Sequence, residues 1–193
     1  MDIFWTFLKL GFEHILDLSA YDHILFITVL CAVYLIQDWK KLVILVTAFT
    51  IGHSLTLALV ATDIIRVNPA VVEILIPITI ILTAVYNLVF IQKSQQNESL
   101  RPNYWLALSF GFIHGMGFSN YFRSILGESE ELVFSLFSFN IGVEVGQLAI
   151  VAVILVINLI YHRVLGGSYK WWVYILSGAG MLIASKLLFA LLA

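Results

Sequence analysis

The chain has 193 residues, 61% of them hydrophobic and only 11% charged, with a mean hydropathy of +1.00 and a formal net charge of −2. A soluble domain is nearer half apolar and a quarter charged, and it could not cover so much apolar surface with polar groups, so the solvent must be lipid. The near-neutral balance gives no sign of a nucleic-acid binder or a basic membrane-surface protein. The single cysteine, Cys31, excludes an internal disulfide and argues against a thiolate metal site.

In chain order, the apolar runs predict helices over 3–18, 21–37, 41–62, 69–92, 103–126, 131–162 and 169–191. The expected fold is all-α, a polytopic transmembrane bundle of six to seven helices at about 20 residues per passage, in one domain over 1–193. The runs are too long, and alternate too little, for a β-barrel. Met1-Asp2-Ile3-Phe4-Trp5 has neither a positive stretch nor a small-residue cleavage site, so no removable signal is expected. In the first helix Lys9, Glu13 and Asp17 share a face opposite Trp5, Leu8, Phe12 and Ile15. That helix either spans, packed in the bundle, or lies in the interface. Of the breaks between runs, only Gln92 to Asn103 has the composition of a true loop.

Orientation follows from the basic residues. Lys40, Lys41, Lys93, Arg101, Arg163 and Lys170 follow helices two, four and six. Helices three and five are followed only by Arg66 and Arg123, diluted by Asp63, Glu128, Glu130 and Glu131. The first set is expected in the cytoplasm. The C-terminus is then outside, and the N-terminus is inside if the first helix spans.

Ionisable groups at bilayer depth cost about 2.5–3.5 kcal/mol each on insertion scales, so each is a functional hypothesis. Here they are His14, Asp17, Asp22, His23, His53, Glu73, His114 and Glu144. Counted along their helices at 1.5 Å per residue, most fall between the bilayer centre and the outer surface. Asn140, Glu144 and Gln147 share one helical face, while Gly142/Gly146 and Gly111/Gly115 are small-residue pairs that let backbones approach closely. Pro77 has no N–H, so the carbonyl of Glu73, four residues earlier, loses its helical partner and could face a cation. Asp22 also suits an N-cap. Ser54 beside His53 points about 100° away on a helix, so adjacency gives no Ser-His dyad. His162 and Asp38 read as interfacial. On the inner side only Thr47, Thr50, Asn87 and Asn158 offer polar steps. Histidine nitrogen with carboxylate oxygen suits a divalent transition metal ion such as Ni²⁺, Zn²⁺, Co²⁺ or Fe²⁺, and the lack of thiolates disfavours Cu(I).

Five segments carry a resemblance. They are Gly11-Phe12-Glu13-His14-Ile15, Tyr21-Asp22-His23-Ile24-Leu25-Phe26, Ala48 to Leu57 around His53, Gly111 to Phe118 around His114, and Phe139 to Gln147 around Glu144. In this order they resemble the HupE/UreJ family of bacterial inner-membrane proteins, in its shorter, accessory-like branch. The resemblance implies a multi-pass inner-membrane protein associated with nickel supply to hydrogenase and urease, as a permease. It also implies metal contacts at His14, Asp22, His23, His53, Glu73, His114 and Glu144, with Asn140, Gln147 and Asp17 in support. The expected partners are membrane lipid and the metal ion, nickel or zinc, bound toward the outer side, and no nucleic acid. Two other functions fit the same residues. One is a zinc-dependent intramembrane hydrolase acting on a lipid, with Asp22 or Glu144 as base. The other is a structural or assembly protein whose polar cluster fixes helix packing.

Overall fold

The structure, a computed structural model, describes residues 2–91, 101–126 and 132–193. Among these residues all regular elements are helical. They are α1 (Ile3–Leu16), α2 (Asp22–Cys31), a short 3₁₀ turn (Ile36–Asp38), α3 (Trp39–Ala61), α4 (Pro69–Val89), α5 (Arg101–Leu126), α6 (Leu132–Arg163) and α7 (Tyr169–Leu192). Four stretches, Ile36–Ala61, Pro69–Val89, Leu132–Arg163 and Tyr169–Leu192, are long and apolar enough to cross a membrane. The 26-residue α5 runs alongside α3. The expected loop and turn at 92–100 and 127–131 lie outside the described residues.

The ends of α3 to α7 fall within three residues of the expected ones, because local chemistry marks them. Asn68 Oδ1 accepts from Ala70 N at 3.0 Å, and Pro69 supplies the first helical residue of α4. Gly166, with φ of 64°, turns the chain from α6 toward α7.

The first two helices differ from expectation. Ring contacts follow α5 in one direction: Phe7 meets Phe122 at 5.7 Å, His14 meets Phe118 at 3.9 Å, His23 meets His114 at 4.9 Å and Phe26 meets Phe110 at 5.3 Å. Both α1 and α2 therefore run antiparallel to α5, and α2 continues α1 instead of returning beside it. With 14 and 10 residues they measure about 21 and 15 Å. Neither crosses the roughly 30 Å hydrocarbon core alone, and together they do. The N-terminus accordingly sits at the start of α6, with Phe4 and Phe134 6.2 Å apart. It is on the opposite side from that expected of a fully spanning first helix.

Both interruptions have physical causes. Asp17 ends α1 in extended backbone (ψ 114°), and its Oδ1 accepts from Ser19 N at 2.8 Å, an Asx turn that competes with helix. The expected helix over 21–37 stops at Cys31. The carbonyl of Val29 is taken by Asn87 Nδ2 at 2.7 Å, that of Val33 by the Tyr169 hydroxyl at 2.9 Å, and the amide of Leu35 by Asp38 Oδ2 at 3.2 Å. Residues Cys31 to Tyr34 are buried. Irregular backbone at membrane depth is tolerated only where protein covers it and satisfies it, and these three side chains do so.

Candidate metal centre

The break between α1 and α2 is where the histidines gather. His14 lies in the last turn of α1. Asp22 and His23 open α2, with Tyr21 and not Asp22 in the N-cap position. His53 comes from the middle of α3 and His114 from the middle of α5. Donor atoms of His14, His23 and His53 all lie within 4.8 Å of one another, and so do those of Asp22, His23 and His114. His23 belongs to both groups. Asp22 Oδ1 receives the His23 backbone amide at 2.9 Å and lies 3.1 Å from His23 Nδ1. With the ring proton on Nδ1, this contact orients the imidazole and leaves Nε2 as the free donor, the usual support for a metal-ligating histidine.

Glycine packing brings these side chains together. A Cβ on Gly111 would overlap the backbone carbonyl of Phe49, and one on Gly142 that of Leu8. Only glycine therefore allows α5 to lie against α3, and α6 against α1, at this separation. The same α3–α5 contact brings His53 and His114 to one level. Around the cluster stand Phe26, Phe49, Phe118 and Phe139. Phe49 and Phe139 stack on His53 with interplanar angles of 22° and 20°. Phe118 covers His14, and Phe26 lies 5.7 Å from His114.

Within this apolar shell most of the histidine nitrogens have no protein partner. His23 Nε2, His14 Nε2 and both ring nitrogens of His53 and His114 are buried without a hydrogen bond. An unmet buried polar group costs about 1–3 kcal/mol. Six such nitrogens, on four imidazoles that each bring one donor atom to the two donor groups, are therefore an expense that packing alone does not explain. A divalent cation with an affinity for imidazole would take one nitrogen from each ring, and the donor set, imidazoles with one carboxylate, fits such an ion.

The remaining expected residues lie elsewhere, outside both donor groups. Glu73 is exposed on the second turn of α4 and Asp17 is exposed at the break. Glu144 accepts from the Thr47 hydroxyl at 2.6 Å, and Gln147 accepts from that of Thr50 at 2.9 Å. The amide of Asn140 donates to Leu136 O at 2.8 Å, while its Oδ1 faces the His53 ring at the edge of the cluster. Ser54 donates to Thr50 O at 2.6 Å, so it makes no dyad with His53. His162 Nδ1 lies 2.9 Å from Gly167 O at the end of α6, far along the chain from the cluster. The aromatic shell was not anticipated. Phe49 stands four residues before His53 and Phe118 four after His114, a spacing that puts each ring on its histidine's helical face.

A family model described as HupE / UreJ protein matches residues 1–192. The chain belongs to the HupE/UreJ family. Among curated proteins and solved structures none matches it. In this HupE/UreJ protein the segments that carry the family resemblance meet in space. His14, Asp22, His23, His53 and His114, from four different helices, form one buried polar centre inside a membrane bundle.

Proposed function

We propose that this HupE/UreJ protein is a permease of the bacterial inner membrane. It binds a divalent transition-metal cation, of the Ni²⁺, Co²⁺ or Zn²⁺ type, at the histidine cluster and passes it inward. One observation carries the reading: four imidazoles with buried, unpartnered nitrogens gather at the break of a discontinuous helix. His14, His23, His53 and His114 are the ligands, and Asp22 holds His23 in its binding orientation and supplies a carboxylate oxygen. A helix interrupted at membrane depth also suits transport, because half-helices can move against each other around a fixed binding position.

The ends bearing Lys40, Lys41, Arg163 and Lys170 face the cytoplasm, and the N-terminus and the 62–68 turn face outward. The next carboxylate inward is Glu144, one helical turn beyond Asn140 on α6 and bonded to Thr47. We assign it the step by which the cation leaves the cluster.

The test is uptake. Vesicles containing the purified protein should accumulate at least one of Ni²⁺, Co²⁺ and Zn²⁺, and His114→Ala should abolish the flux. Retention of stoichiometric metal through dialysis, with no flux of any of the three, would contradict the permease and favour a hydrolase or accessory centre. Orientation is tested in a Cys31→Ala background. An Asn97→Cys variant should resist membrane-impermeant thiol reagents applied to intact cells, and labelling from outside would reverse the assignment.

A further inference from the structure

The histidine centre is enclosed by aromatic side chains, so a cation needs a way to it. A cavity of about 260 Å³ opens between the α1–α2 break, α4 and the last turns of α7, lined by Tyr21, Asp22, Glu73, Pro77, Leu187 and Ala190 among others. It is far larger than the roughly 15 Å³ that one water needs, so it has room for several waters around a cation. Asp22 belongs to both places: it lines the cavity, and its Oδ1 lies 3.1 Å from Nδ1 of His23. His23 is buried, with Nε2 unpaired. The cavity therefore reaches Asp22, the residue beside His23, and no histidine lines it. Glu73, outside both donor groups, stands in its wall. Pro77, four residues on, removes the amide that would bond the Glu73 carbonyl, so that oxygen is left without its helical partner.

We infer that this cavity is the entrance for the hydrated divalent cation, and that Glu73 is its first station. Glu73 attracts and holds the ion, and Asp22 at the inner end takes it over as water is lost to the imidazoles. Glu73 is thus a capture residue and not a ligand of the final site. The inference rests on the reading of the histidine cluster as a cation-binding centre.

The experiment follows the loading of the purified full-length protein with Co²⁺, whose visible absorption changes as imidazole replaces water. Loading is recorded by stopped flow, and the bound ion is counted at saturation. Glu73→Gln should slow loading roughly tenfold at low ionic strength, and the difference should shrink as salt is raised. Ala190→Trp, which fills the cavity from the last turns of α7, should slow loading at every ionic strength. Both variants should bind as much Co²⁺ at saturation as wild type. Wild-type loading rates in both variants would overturn the inference, because the ion would then travel another way. Loss of saturating Co²⁺ in Glu73→Gln would overturn it differently, by making Glu73 a ligand. If the wild type binds no Co²⁺, the binding centre itself fails and the entrance fails with it.

Discussion

The half of the bundle around the α1–α2 break and the half beyond it, toward the 3₁₀ turn, both bury polar side chains, but they treat them differently. Toward the 3₁₀ turn, Asn87 Nδ2 bonds Val29 O and Ser177, Tyr169 bonds Val33 O, Thr47 bonds Glu144 and Thr50 bonds Gln147. Asn158 Nδ2, His162 Nε2 and Trp172 Nε1 are exceptions, but they do not gather in one group. Around the break, six imidazole nitrogens have no partner. Polar burial at membrane depth is therefore not in itself a mark of function. Where the partners are built in, polar groups hold helices in register. Where the partners are missing, the protein carries a cost that something else must offset.

The largest expected effect strikes both halves at once. Gly111→Leu drives a side chain into the carbonyl of Phe49, and should destabilise the bundle by about 3 kcal/mol or more. The readout is loss of monodisperse protein on extraction. The next pair separates the halves by sign. Asn87→Leu removes the side-chain donor to Val29 O, leaving it the Ala32 amide at 3.2 Å, and also the bond to Ser177, and should lower stability by about 1–3 kcal/mol without affecting metal binding. His53→Leu removes two unpaired nitrogens from an aromatic stack, and in metal-free protein it should leave stability unchanged or raise it by about 1 kcal/mol. Denaturation in detergent with chelator present measures both. If His53→Leu proves as destabilising as Asn87→Leu, the cluster is structural and the contrast disappears.

Much of the fold was legible because lipid enforces simple rules: long apolar runs, capped at Asn68 and Gly166, are passages. The candidate donors His14, Asp22, His23, His53 and His114 could be named because a bilayer penalises such residue types, but the same reasoning also named Asp17, Glu73 and Glu144, which lie outside both donor groups. The discontinuous helix was not. Asp17 is an ordinary cap residue in the sequence, and counting passages assumes that consecutive helices reverse. The unwinding after Cys31 depends on Asn87 and Tyr169, 58 and 136 residues distant from the carbonyls they bond, and no local pattern announces such partners. For the same reason Glu73 and Glu144 could be set at a plausible depth, but not given neighbours. Depth along a helix follows from counting residues, whereas the direction a side chain takes between helices depends on packing.

Smaller effects sharpen the boundary between the halves. Glu144→Gln keeps an acceptor for Thr47, so stability should change by less than about 1 kcal/mol and metal bound at the cluster by less than about twofold, while vesicle uptake is lost. A large loss of bound metal would move Glu144 into the ligand set. His162→Ala, at the distant end of α6, should alter neither metal binding nor uptake, and stability only within about 1 kcal/mol.

The central claim is that the unpaired histidines hold a cation. The most direct measurement is elemental analysis of the protein purified without chelator and then dialysed against low concentrations of Ni²⁺, Co²⁺ and Zn²⁺, in parallel with His53→Ala, His114→Ala and His162→Ala. The account predicts stoichiometric metal in the wild type and in His162→Ala, and loss of most of it in each of the other two, with helical content retained. Equal metal content in all four proteins, or none in the wild type, would contradict it.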